Sequence, residues 1–451
     1  MRAGFLFLAL LAVALTASAQ NAVKTPAQER AMISRFTVEL PNLQCPMSLI
    51  IDDGFPILSD RLSAADLEKR KAEGKGVDWW TFFDDLTALF AEYGMKGKLS
   101  IISYREGTGI IDKITDPARK KQLGDFLAAL NKRVIPTFDI TPEMISHAAV
   151  MNVETDQPLG VKDNEAVWSQ TQSEETLEAY IGRALLALKN VGLAPNGVTS
   201  PWDFGSKNEA NYALAIGRSL KRVCGVKLTW YFCQSDVADY FEPRLMYLDR
   251  QNKEAVINIM PTRRTCDLTL SKQLGRDIPK IVDVHITPDG KEGAFPAMVA
   301  SRSYIVFYKH WGNLYDQGQE TGLKVLREVL GRMRQFYPGD TQWMACSEVA
   351  RYYAAAKTYR LTQTPGKGSL NVSLESPFTC PNFTVSFSVP REVKRIEVQG
   401  RTPAGSEEKP KDVKRVEKAG KRLEPYTWCA EGQTVYACFD LSEATHMYIW
   451  F

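Results

Sequence analysis

From Leu40 to Tyr359 the chain alternates short apolar runs with segments whose apolar residues recur at the helical period, and no other feature limits the fold as much. Asp78 to Tyr93 (DWWTFFDDLTALFAEY) sets Trp79, Phe82, Phe83, Leu86, Phe90 and Tyr93 on one face, with Asp78 placed to cap the first turn and Gly94 to end the last. The same period predicts helices over Pro117–Asn131, Glu174–Val191, Asn208–Val223, Gly322–Phe336 and Glu348–Lys357. Between them, strands are predicted at Ser48–Ile51, Lys98–Ile102, Val134–Phe138, a short run ending at Ser200–Pro201, Val226–Phe232, Val256–Met260, Tyr304–Tyr308 and Thr341–Ala345. Strands that take turns with helices form a parallel sheet covered by helices, and this extent matches one α/β barrel.

The texture changes after Leu361. Residues 362–369 are rich in Thr, Pro and Gly and read as a linker, whereas FTVSFSV (Phe383–Val389) and VYACF (Val435–Phe439) alternate like half-buried antiparallel strands, so 370–451 is expected to be a small β-sandwich domain. The basic stretch Arg391–Arg422 reads as a solvated hairpin or loop. At the other end, one Arg, an apolar run from Phe5 to Leu15 and then Ala17-Ser18-Ala19 fit a secretory signal peptide cleaved after Ala19, followed by a polar, flexible lead-in over 20–39 ahead of a barrel domain spanning 40–361. The apolar run is too short to span a bilayer, so a secreted or periplasmic product with no membrane insertion is expected. With 56 basic against 53 acidic residues, the charge balance gives no reason to expect nucleic acid as a partner. Eight cysteines permit disulfides in an exported chain, with Cys224–Cys233 and Cys429–Cys438 as candidate pairs, and the absence of CxxC spacing argues against a cysteine zinc site.

The chemistry is expected where strands end. SLIIDDGFP (Ser48–Pro56) runs four strand-like residues straight into Asp52 and Asp53, then Gly54, and groups just past a barrel strand face the open mouth. Asp before Gly is also ordinary turn chemistry. In TPEMISH, Glu143 and His147 lie four apart; if helical, they share one face and could bind one metal ion, or simply hydrogen-bond to each other. His310 ends the run VFYKH, where an imidazole suits proton transfer to a leaving group, although a core histidine reads equally well. His285, ahead of Pro288-Asp289-Gly290, reads as a turn residue, and no role follows for His446. Trp202, Trp311 and Tyr315 suit sugar rings or the core.

Together these motifs resemble the polysaccharide deacetylase family, the NodB-type members of the glycoside hydrolase/deacetylase barrel superfamily, and phrases such as FDITPEMISH, NGVTSPWDFG and KHWGNL are similar to exported bacterial relatives of it. The resemblance implies a distorted (β/α) barrel with Asp52 as general base, Asp53 and His147 as ligands of a divalent metal ion, zinc or similar, and His310 as the acid. TSPWDFG (Thr199–Gly205) resembles the motif that lines the family's pocket, which implies Thr199, Pro201, Trp202, Asp203 and, beside His310, Trp311 as contacts to a carbohydrate substrate. WMACSEVARYYAA (Trp343–Ala355) resembles its closing strand and helix. Three departures stand out: Glu143 replaces the first histidine of the ligand pair, Thr199-Ser200 replaces the arginine before the proline, and the Asp-x-x-Asp-Trp motif has only Asp267 as a candidate. The leading expectation is an exported, metal-dependent carbohydrate hydrolase of deacetylase type. A metal-free glycoside hydrolase drawing on Asp52, Asp53, Glu143 or Asp203 is the second, and a glycan-binding barrel without turnover the third.

Overall fold

The computed structural model describes residues 32–233, 238–265, 274–401 and 405–451. The signal peptide, most of the lead-in and Asp267 lie outside the described residues. In chain order the strands are β1 (Ser34–Val38), β2 (Cys45–Asp52), β3 (Gly97–Ile101), the short pair β4 (Tyr104–Arg105) and β5 (Gly109–Ile110), β6 (Phe138–Pro142), β7 (Gly197–Thr199), β8 (Leu228–Phe232), β9 (Arg244–Asp249), β10 (Glu254–Asn258), β11 (Ile305–His310) and β12 (Thr341–Trp343). Beyond these come β13 (Arg360–Gly366), β14 (Ser369–Glu375), β15 (Cys380–Ser388), β16 (Arg395–Gly400), β17 (Lys411–Arg415), β18 (Thr427–Glu431), β19 (Thr434–Leu441) and β20 (Ala444–Trp450).

All eight residues of β2 are buried, which is why CPMSLIID reads as a nearly continuous apolar run rather than an alternating one. It pairs in parallel with β11, β3 and β12, and β3 pairs in parallel with β6. Gly97 lets β3 come this close, since a Cβ there would lie 1.9 Å from Leu49 O. A second sheet runs β7-β8-β10-β9, parallel except for β9. The expected single barrel ladder is therefore replaced, among the described residues, by two arcs. Where they meet, Thr141 on β6 and Thr199 on β7 share a side-chain hydrogen bond of 2.8 Å instead of a backbone ladder.

Helices cover these arcs, and their ends follow the sequence signals closely. The helix Trp79–Tyr93 starts where Asp78 Oδ1 accepts from the Thr81 N–H at 2.7 Å, and it stops at Gly94, whose φ of 59° is left-handed. It buries Phe82, Phe83, Leu86, Leu89 and Phe90, each worth roughly 1.5–3 kcal/mol of apolar burial. The helix Pro117–Arg133 is capped by Asp116 and runs on into Val134 at its C-cap. For that reason β6 starts at Phe138 rather than Val134 and runs on to Pro142.

The C-terminal region is one nine-stranded sheet, ordered β1-β15-β19-β18-β17-β16-β20-β14-β13, curled around a core of its own that includes Leu370, Phe383, Phe387, Trp428 and Ile449. Three expectations are corrected by it, the first being the β-sandwich over 370–451, since the strands form one curled sheet and not two packed ones. Residues 362–369 are a hairpin, not a linker, because β13 pairs with β14 from Arg360↔Glu375 to Gly366↔Ser369. Residues 34–38, expected in the lead-in, form β1 and pair with β15. The basic stretch supplies β16 and β17. Tyr352, on the helix Cys346–Thr358, joins this core, and its hydroxyl donates to Glu39 O at 2.8 Å. Neither proposed disulfide forms: Cys224, Cys233, Cys429 and Cys438 are free thiols, and the β18–β19 register sets Cys429 opposite Tyr436 and Cys438 opposite Thr427. Among the described residues no helix is long and apolar enough to cross a membrane.

Candidate functional site

β2 ends at Asp52 and the chain turns at Asp53, so two adjacent acids reach two different environments. Asp52 is 2% exposed and forms an ion pair with the Lys98 ammonium on β3, itself fully buried. The same ammonium donates to Thr199 Oγ1 at 2.6 Å and lies 4.7 Å from the centre of the Phe232 ring. Burial pushes the Asp52 carboxyl up, while Lys98 and then His310 pull it back. Lys98 was not singled out in the sequence. Its signal was a lone lysine inside the apolar strand GKLSI, where every residue is buried.

Asp53 leaves the strand at φ 61°, so the turn is taken by the acid rather than by the glycine. Gly54 is needed for a different reason, since a Cβ there would lie 2.2 Å from Ser100 O. The Asp53 N–H donates to Glu143 Oε2 at 2.6 Å, and Ser100 Oγ donates to the same oxygen at 2.6 Å. With Oε2 held twice, Glu143 Oε1 is turned toward His147 Nε2 at 3.5 Å, and that nitrogen is 3.0 Å from Asp53 Oδ1. One ligand atom from each of Asp53, Glu143 and His147 lies within 4.8 Å of the other two. The expected trio therefore meets, though not through the expected helix. Residues 143–147 are an irregular loop with Met144 at φ 47° and His147 at φ 63°.

Glu165, which sequence reasoning missed, holds this loop. Its carboxylate accepts from the N–H groups of Ile145 (3.3 Å), Ser146 (2.8 Å) and His147 (3.0 Å) and from Tyr180 Oη (2.6 Å). It is 1% exposed, and burial pushes its carboxyl up.

The other predicted residues divide. His310 ends β11 in register with Asp52 and is mostly buried, so β2 and β11 bring both to one end of the sheet. Trp202 is 71% exposed and its indole N–H donates to His147 Nδ1 at 3.3 Å. Thr199 is buried in the Lys98 network, Pro201 is buried, and Asp203 is half-buried with its carbonyl accepting from Gln170. Trp311 does not line a rim. It is 1% exposed, stacked on Trp79 and edge-on to Phe82, and Tyr315 is likewise core, its ring centre 3.7 Å from that of Trp79. An apolar helical stretch beneath a sheet edge reads the same whether its aromatics face a cleft or a core. His285 is not in a turn but ends the helix Ile278–His285, buried. His446 shares a hydrogen bond with Ser373 Oγ in the C-terminal sheet.

A divalent cation fits this trio. Asp53 Oδ1 is a buried acceptor with no well-directed hydrogen bond, and two carboxylates plus an imidazole are a common donor set for zinc, manganese or iron. The two donors on Glu143 Oε2 orient that carboxylate as an outer shell orients a ligand. Binding through Nε2 puts the imidazole proton on Nδ1, so the exposed Trp202 indole would turn away.

Without a cation, Glu143 and His147 hold protons, whereas burial of Asp53 is outweighed by His147 and His310, which keep its carboxyl below the usual range. Burial, then the Asp52 and Asp53 charges, raise Glu143 to about 8. Burial pushes His147 down, but Asp53, Glu143 and Glu165 outweigh it and raise the group to about 9. Both groups bind protons more tightly folded than unfolded, so their stabilisation is complete below the unfolded values of 4.5 and 6.5 and is lost as pH rises through about 8 and about 9. Metal-free protein is therefore expected to lose stability from pH 6 to pH 9, on the order of 3 kcal/mol from His147 alone. A divalent cation should flatten the slope by displacing those protons. Thermal melts across this range in chelator check the sign, and a Tm that climbs would contradict it.

No family model matches the chain, and no curated protein matches it. Solved structures that align with it include a Parabacteroides distasonis protein provisionally named a glycoside hydrolase/deacetylase, at 8% identity, covering 78% of this chain and 82% of the other with a TM-score of 0.36. A Bacteroides thetaiotaomicron protein provisionally named an alpha-L-fucosidase aligns at 8% identity over 90% and 91% with a TM-score of 0.27. A Clostridium glycoside hydrolase family 44 endoglucanase aligns at 8% identity over 74% and 84% with a TM-score of 0.21. With overlap this loose, function has to be read from the side chains.

Proposed function

We propose that the protein is a metal-dependent hydrolase acting on a carbohydrate, of deacetylase type. The observation that carries this reading is the meeting of Asp53, Glu143 and His147 from two strand ends and a loop, with Glu143 Oε2 already committed and Oε1 facing the other two donors. A divalent cation held by these three residues would supply Lewis acidity toward an acyl carbonyl and toward water. Asp52 takes the proton from the attacking water, and the Lys98 ion pair offsets part of the burial that pushes its carboxyl up. His310, on the neighbouring strand at the same level, gives a proton to the leaving oxygen or nitrogen. Trp202 offers the exposed aromatic face on which a sugar ring stacks.

A glycoside hydrolase with two opposed carboxylates finds less support. Asp53 and Glu143 converge with His147 on one point, an arrangement suited to a shared cation, whereas that chemistry needs carboxylates facing each other across a bond. Two measurements test the proposal. Purified protein should contain a divalent metal, lose esterase or amidase activity on acetylated oligosaccharides in chelator, and regain it on metal addition. His310→Ala should keep the metal while turnover falls by about a hundredfold or more. Activity indifferent to chelation would end this reading.

A further inference from the structure

A cavity of about 280 Å³ is walled mainly by the segments that follow β2 and β3, beginning at Phe55, two residues after Asp53. In the sheet order β11-β2-β3-β6, β3 lies between the two strands whose ends carry Asp53 and Glu143. The Ile102 N–H donates to Gly54 O at 2.7 Å, and the Tyr104 N–H donates to Ile145 O at 2.8 Å, so the β4–β5 hairpin is fastened to both loops of the site. Phe55, Leu58, Trp79 and Ile102 give the cavity apolar and aromatic surface. Two guanidinium groups stand over it: Arg105 lies 4.5 Å from the centre of the Phe55 ring, and Arg119 donates to Gly107 O at 2.8 Å. Among the described residues neither makes an ion pair with a carboxylate, and Glu106 is the one acid among the described lining residues.

We infer that this cavity is a subsite for an anionic sugar residue of the glycan, bearing a carboxylate or a sulfate. The apolar floor of Pro56, Leu58 and Ile102 takes the apolar side of a pyranose, and two guanidinium groups without an ion pair offer the forked donors that match a carboxylate or sulfate. This inference rests on the carbohydrate reading above and adds the charge of the substrate to it.

Binding is measured by calorimetry and Trp fluorescence on the whole mature chain, with chelator present so that turnover plays no part. The probes are tetragalacturonate, its carboxyl-reduced neutral counterpart, and a sulfated neutral tetrasaccharide. At least one anionic probe should bind tenfold or more tighter than the neutral one, the preference should shrink as salt rises, and Arg105→Ala with Arg119→Ala should abolish it without moving Tm. Preference for one anionic probe over the other identifies carboxylate or sulfate as the group recognised. Equal affinity for all three probes, no binding of any, or a double variant that keeps the preference would overturn the inference. The two readings fail separately: an anionic preference without metal-dependent turnover removes only the hydrolase, and metal-dependent turnover without that preference removes only the subsite.

Discussion

Replacing Lys98 with methionine is expected to destabilise the protein by about 3–5 kcal/mol, because it leaves the Asp52 carboxylate buried without its partner charge. The loss reaches further than one ion pair. The Lys98 ammonium also donates to Thr199, and Thr199 shares a hydrogen bond with Thr141 across the gap between the two arcs, so the substitution loosens a seam that has no backbone ladder. Adding Asp52→Asn to Lys98→Met removes the orphaned charge and should recover a large part of the stability while leaving activity absent. Urea unfolding of the wild type, both single variants and the double variant gives the coupling directly. A Lys98→Met protein within about 1 kcal/mol of wild type would mean that Asp52 is neutral in the folded state, and its role as a base would go with it.

Glu165→Ala should have the second largest effect, although Glu165 touches none of the reacting groups. It strands three backbone N–H groups and the Tyr180 hydroxyl, and each unsatisfied buried group costs about 1–3 kcal/mol unless water replaces the carboxylate. The loop it holds contains Met144 and His147 in left-handed backbone, a conformation that non-glycine residues keep only when their surroundings enforce it. Divalent-metal affinity is therefore expected to fall about 10–100-fold, with Glu165→Gln retaining more of it because the amide oxygen still accepts. Metal titration of both variants checks this, and unchanged affinity in Glu165→Ala would show that the loop is held by other contacts.

Local signals in the sequence placed most of the elements. Asp78 and Gly94 bound a helix because a cap and a left-handed stop act within a few residues of where they are written. The start of β6 was misplaced because Val134 and Ile135 are apolar for the sake of the preceding helix, and nothing in a short apolar run says which element it serves. The acids after β2 and the pair Glu143 and His147 were legible as types and spacing, but the loop that joins them was not, since its shape depends on Glu165, eighteen positions from His147. Lys98 stood out only as a lysine in an apolar strand, and its role stayed hidden for the same reason: its partner is Asp52, forty-six positions away. Trp202 and Trp311 show the limit most clearly, because the same residue type in two similar contexts ended with one ring 71% exposed and the other 1% exposed.

The pairing of β1 with β15 sets the order of events during synthesis. The first described strand finds its partner only near the end of translation, and just after it the Asn42 N–H bonds to Thr384 across 342 positions. At about 5–20 residues per second, this edge waits on the order of tens of seconds unpaired. The α/β part cannot be released as a trimmed fragment without cutting the thread that ties its beginning to the last sheet, and a nascent chain of this kind needs shelter until its tail arrives.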